Sequence, residues 1–169
     1  MGVSLSISFD DEGLGEALSN AVARARDLSA PLNSSAAYIE ASVQDRFETG
    51  IGPDGIRWIP SKRAQEQGGL TLVDKARLRG SIKSNVGDDF LETGSDATAD
   101  SARYARTHQF GATIRPKNGE FLIFNGANGG LVFAREVNIP ARPFLGIDDA
   151  DVLELQDIWD QWVGGLIDG

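Results

Sequence analysis

The sequence predicts an α+β fold. Three observations carry that expectation: apolar residues recur at helical spacing at both ends of the chain, turn residues cluster between compact apolar runs in the middle, and no stretch approaches a membrane span. The expected architecture is a long, kinked N-terminal helix packed on an antiparallel sheet of about four strands. A short inserted helix and an acidic C-terminal helix complete it. With 169 residues the chain is long enough to bury a core as a single domain, residues 1–169.

Each element follows from local pattern. Leu14, Leu18, Ala21, Val22, Ala25 and Leu28 form one helical stripe, and Leu32, Ala36, Ile39, Val43 and Phe47 form a second. Pro31 interrupts them, which predicts either two helices or one helix kinked there, with Ser29 as the cap. Gly50 and Gly52 end this helical region, residues 1–49. Residues 50–70 read as a loop, rich in glycine and proline, in which Pro53-Asp54-Gly55 is a turn. Trp58 lies in that loop, where a large ring pins the segment to the body or to a partner.

Residues 71–147 read as mainly β. A short amphipathic stretch, Leu70 to Leu78, leads in. Ser81 to Val86, a turn at Gly87-Asp88-Asp89, and Phe90 to Gly94 predict one hairpin. Ala102 to Phe110 predicts a short helix. Phe121 to Phe124 and Leu131 to Ala134, joined by Asn125-Gly126-Ala127-Asn128-Gly129-Gly130, predict a second hairpin, and Val137 to Pro140 closes a sheet edge. Residues 148–169 form the last helix, with apolar Val152, Leu155, Ile158, Trp159, Trp162, Val163 and Leu166.

Charge is laid out in blocks. The formal net charge of −9 divides into −6 over residues 1–54, +5 over 55–87, −5 over 88–102, +4 over 103–147 and −7 over 148–169. Alternating blocks suit a subunit that shows different faces to different neighbours, or simply solvated faces. Neither reading favours nucleic acid as the main partner, which calls for a dominant basic patch. The absence of cysteine excludes disulfides and thiolate metal sites and fits a reducing cytoplasm. Met1 to Phe9 has no basic n-region or long apolar run, so no signal peptide is expected.

The residues give little support to catalysis, cofactor binding or a metal site. His108 stands alone and is expected to be a hydrogen-bonded structural residue. Asp88 with Asp89, and Asp148 with Asp149, are adjacent pairs whose side chains diverge; turn formation and a helix N-terminus explain them. Gly126 to Gly130 lacks the lysine and Ser/Thr of a phosphate loop. Lys75, Arg77, Arg79 and Lys83 cluster; they make either a solvated or subunit-facing surface or, merged with Arg103, Arg106 and Arg115, a DNA-facing patch.

Four segments, in order over residues 52–146, resemble the phage virion morphogenesis family, the tail-completion proteins of Mu-like and P2-like phages. They are Gly52-Pro53-Asp54-Gly55-Ile56-Arg57-Trp58-Ile59-Pro60, Leu78-Arg79-Gly80-Ser81-Ile82, Tyr104-Ala105-Arg106-Thr107-His108-Gln109-Phe110-Gly111 and Ile139-Pro140-Ala141-Arg142-Pro143-Phe144-Leu145-Gly146. Lys75-Ala76 stands where the family pattern has Thr-Gly.

The resemblance implies a structural virion protein of a tailed phage, assembled in the host cytoplasm and placed at the head–tail junction. It implies a homo-oligomeric ring, commonly hexameric, touching the tail tube, the neck-connector proteins or both. It implies DNA only as a passing contact in the lumen, and no enzymatic activity. A nucleic-acid-binding protein of packaging or replication, and a small hydrolase built on His108, are the alternatives. The residues singled out for a subunit or partner interface are Trp58, Arg79, Gln109, Ile139, Pro140, Arg142 and Pro143. Within Ile139 to Pro143, two prolines flank an arginine able to clasp a carboxylate across a boundary, while the same segment also suits a rigid turn that seats Phe144 in the core.

Overall fold

The computed structural model describes residues 12–95, 99–126 and 128–168. The leader-free reading of Met1 to Phe9 and Ala127 of the second hairpin lie outside these residues.

Helix α1 spans Glu12–Ala25 and α2 spans Ser29–Thr49. The chain therefore makes two helices, and the break falls at residues 26–28 rather than at Pro31. Pro31 sits buried in the first turn of α2, where its missing N–H costs nothing. Ser29 is not the cap. Leu28 holds that position without a side-chain cap, and the Asp27 carboxylate accepts the Ser29 N–H at 3.0 Å.

Leu32, Ala36, Ile39, Val43 and Phe47 bury one stripe of α2, as their spacing requires. The helix ends where Gly50 turns left-handed (φ 68°) and donates its N–H to the Arg46 carbonyl at 2.9 Å. Residues 50–70 then hold more structure than a loop. The Pro53-Asp54-Gly55 turn forms as expected, with the Asp54 carboxylate accepting from Ile56 N–H at 3.0 Å. Helix α3, Lys62–Gln67, follows, capped by the Ser61 hydroxyl, which accepts from Ala64 N–H at 3.1 Å.

Helix α4, Arg77–Gly80, leads into the strands. Its cap position is Ala76 at φ 52°, a left-handed conformation that suits glycine. The one departure from the family pattern thus falls where the backbone still demands what glycine supplies.

The expectation of one sheet of about four strands is corrected. Among the described residues, six strands form three two-stranded antiparallel sheets. Strands β1, Ile82–Val86, and β2, Leu91–Ser95, make the first hairpin, in register from Ile82↔Ser95 to Val86↔Leu91. The other two pairs are nested along one ribbon. Strands β3, Ala112–Ile114, and β6, Val137–Ile139, pair at its base, and β4, Leu122–Asn125, pairs with β5, Leu131–Ala134, at its tip. Pro116 and Gly119, inside the connection from β3 to β4, interrupt what would otherwise be one ladder.

Helix α5, Ala99–Phe110, stands between the first hairpin and the ribbon, and α6, Asp149–Asp168, closes the chain. Arg24 ties α1 to α6 by donating to the Leu166 carbonyl at 2.9 Å, a cation placed on a helix C-terminus. Helix α2 packs on α6 and on the β1–β2 hairpin. Its Glu40 carboxylate accepts the Ser84 N–H at 2.6 Å. The core gathers Ile39, Val43 and Phe47 of α2 with Trp58, Leu72, Leu78, Ile82, Ala105 and Phe144. No helix among the described residues is long and apolar enough to cross a membrane.

Candidate functional site

Three of the four segments that resemble the family converge on one feature. Residues 140–151 cross the end of α2, the Trp58-Ile59 segment and the end of α5, and hydrogen bonds fasten them to all three. This strap leaves the ribbon at Pro140, finishes as the first turn of α6, and takes its middle fastenings from Trp58 and Ile59, just past the Pro53–Gly55 turn.

At its first fastening, the Arg142 N–H donates to the His108 carbonyl at 2.6 Å and Arg142 Nε donates to the Ile59 carbonyl at 2.7 Å. Arg142 is 5% exposed, and burial draws its guanidinium below the ordinary range. Gly111 makes the close approach here. It sits at φ 73°, and a Cβ would lie 2.9 Å from Ala141 N and 3.0 Å from the Ile139 carbonyl.

Gln109 is the second fastening. Its Oε1 accepts from both Phe144 N–H and Leu145 N–H at 3.0 Å, and its Nε2 donates to the Leu145 carbonyl at 2.8 Å. All of its amide is spent on strap backbone except one donor hydrogen. Trp58 Nε1 donates to the Pro143 carbonyl at 3.0 Å while its ring meets Phe47 edge-on, centroids 5.9 Å apart. Phe144, wholly buried, lies 5.3 Å from Phe47 between these two anchors.

The last fastening is ionic. Arg46 of α2 donates to the carbonyls of Phe144 at 3.2 Å and Gly146 at 2.7 Å, to Asp148 Oδ2 at 3.2 Å and to Asp151 Oδ2. Asp148 and Asp151 cap α6 reciprocally. Each carboxylate accepts the other's N–H, at 2.9 and 3.0 Å. Burial by itself would raise the Asp151 carboxyl. The Ser42 hydroxyl, the Asp148 N–H, Arg46 and Tyr38 outweigh it, and the group lies below its ordinary value. Tyr38, desolvated beside Asp151, is pushed up.

Of the residues marked from sequence for an interface, Trp58, Gln109, Ile139, Pro140, Arg142 and Pro143 meet at this strap. Trp58 and Arg142 are buried; Gln109, Ile139, Pro140 and Pro143 are half-buried. Arg79 stands apart. It stitches α4 to α2, with Nε donating to Gln44 Oε1 at 2.6 Å and its terminal nitrogen to Glu48 at 2.5 Å. Arg46, Ser42 and Asp151 were missed. The signal for them was an arginine on the buried stripe of α2, one residue before Phe47, and carboxylates three apart at the start of α6.

His108 needs a correction. It was expected to be a hydrogen-bonded structural residue, yet its buried Nδ1 has no partner, and only its backbone carbonyl is used. Its ring packs edge-on against Tyr104, centroids 4.3 Å apart. Burial, with Arg142 nearby, lowers its pKa to about 4. The imidazole is therefore neutral in the folded chain at neutral pH, while the unfolded chain binds a proton near pH 6.5. Stability from this residue is full above pH 6.5 and is lost as pH falls from there toward about 4. Over that window the loss is on the order of 2–3 kcal/mol. Urea titrations at stepped pH values should show it, and His108→Gln should flatten that part of the profile.

The paired acids and the glycine loop have the bland roles expected of them. Asp88 and Asp89 are exposed in the β1–β2 turn, Asp148 caps α6, and Gly126 donates its N–H to the Gly130 carbonyl at 2.7 Å to close the β4–β5 connection. No group of three or more His, Asp or Glu side chains placed to hold a metal occurs among the described residues. Beside the strap lies a groove of about 280 Å³, lined by Ser95, Ala105, Arg106, Gln109, Phe110, Phe144 and Leu145.

A model of the phage virion morphogenesis family matches residues 9–164. No curated protein and no solved structure matches the chain. With most of the chain matched, and with three of the four resembling segments meeting at one strap, the chain belongs to the phage virion morphogenesis family and has a virion-associated role in the structure or assembly of a bacteriophage particle.

Proposed function

We propose that this chain is a tail-completion or head–tail joining protein, acting without catalysis as one copy in a ring. The observation that carries the reading is the strap. Three of the four segments that mark the family form a rigid clasp whose polar side chains are consumed internally. Gln109, Arg46, Asp151 and Arg142 all serve backbone or one another. Such a site positions surfaces; it offers no free acid, base or nucleophile pair to a substrate. His108, neutral and enclosed, fits the same reading.

The partners proposed are further copies of the chain, the tail tube and the neck-connector proteins, with DNA as a passing contact in the lumen. Two members of the basic set are already engaged inside the molecule, Arg79 by Gln44 and Glu48 and Arg115 by Glu136 at 3.0 Å. That thins the patch a nucleic-acid-binding protein would need.

Light scattering of the purified chain over a concentration series tests this. A discrete ring-sized species is the expected result. A mass of one copy at every concentration would overturn the ring as a property of the chain itself.

A further inference from the structure

The ribbon tip carries an exposed apolar surface that the strap does not explain. Phe121, Ile123, Leu131 and Phe133 are 41%, 61%, 67% and 61% exposed. The register Ile123↔Phe133 and Asn125↔Leu131 places them on one face of the β4–β5 hairpin. Arg135 shares that face and lies over the Phe121 ring at 5.6 Å. Each of the two strands also has an unpaired edge, because the sheet holds only two. A two-stranded hairpin with a bare apolar face is marginal in water and calls for a cover.

The opposite end of the chain offers one. Asp149, Leu153, Asp157 and Asp160 recur at helical spacing along one outward stripe of α6, with Leu153 67% exposed. Residues 148–169 hold seven acids and no base, whereas the ribbon, residues 112–139, holds three bases and two acids. Among the described residues no cation pairs with Asp149, Asp157 or Asp160. Around the ribbon, Arg115 neutralises Glu136, which leaves Lys117 and Arg135 against Glu120.

We infer that the ribbon tip of one copy docks on the α6 stripe of a second copy, its apolar face over Leu153 and its bases against the flanking acids. The inference rests on the ring reading above and names the contact that builds it. Two different patches meet, so the association is head-to-tail, and it continues from copy to copy until it closes. Charge complementarity selects a second copy of this chain as the occupant.

The chain has no cysteine, so single reporters can be placed cleanly. Ile123→Cys protein is mixed with Leu153→Cys protein and treated with a short bis-maleimide. An Ile123→Cys and Ile56→Cys mixture is the control, Ile56 being 66% exposed in the Pro53–Gly55 turn region. A cross-linked product well above the control, lost when Phe133→Asp is added to the first partner, is the expected result. Equal yields in the two mixtures overturn the contact. If the wild-type mass still rises with concentration, the ring reading survives that failure; if the mass stays at one copy, both fall together.

Discussion

Arg46→Ala is expected to destabilise the fold by about 3–5 kcal/mol, because it leaves a buried carboxylate without its cation. Arg46 is 4% exposed and Asp151 is 1% exposed. The arginine supplies four hydrogen bonds, and without it the carbonyls of Phe144 and Gly146 lose their donor as well. Replacing both charges, Arg46→Met with Asp151→Leu, should cost less than the single change, since no unpaired charge then remains. Denaturation midpoints of the single and double variants measure both effects. A single-variant loss below about 1 kcal/mol would show that the pair is solvated and that the strap is held by packing alone. The same pair sets an acid limit. Asp151 is depressed in the folded chain, so its contribution is full above the unfolded value of 3.8 and is lost as pH falls through the lower folded value.

Phe144→Ala is the second large effect, at about 3–5 kcal/mol for an aromatic ring removed from a closed core. Phe144 is wholly buried against Phe47, with Trp58 on that ring's other side. Its backbone is held by Gln109 and Arg46, so the neighbours cannot collapse into the space. Thermal denaturation by circular dichroism should show the loss, and Phe144→Leu should recover much of it. If the alanine variant melts within a few degrees of wild type, the strap is a surface feature and not a part of the core.

Much of the architecture was legible in the sequence because period and punctuation are local. The stripe from Leu32 to Phe47, the Pro53-Asp54-Gly55 turn, both hairpins and the last helix follow from spacing alone. The grouping of strands was not legible. Whether β3 joins β4 in one sheet depends on how Pro116 and Gly119 turn the chain, and no alternation pattern records that. Helix α3 hid behind Gly68 and Gly69, although Ser61 before a run of good helix formers was a usable signal. The site was half visible. Phe144 in the core and Asp148 at a helix start were readable from the segment Ile139 to Gly146. That Arg142 turns inward to the Ile59 carbonyl was not, because an arginine between two prolines serves an interface or an interior equally well until its acceptor is known.

The strap also fixes the order in which the molecule can be made. Phe47 waits for Phe144, and Arg46 waits for Asp151, each about a hundred residues later in synthesis. Until those residues are made, the buried stripe of α2 has Trp58, Leu72, Leu78, Ala105 and the first hairpin to cover it, and lacks Phe144 and α6. The core therefore stays open in the growing chain until residues 144–151 are made, and α6 closes it as a latch. A chain cut short before residue 144 keeps most of these elements and lacks the piece that holds them, so only copies that include the strap present a finished surface for assembly.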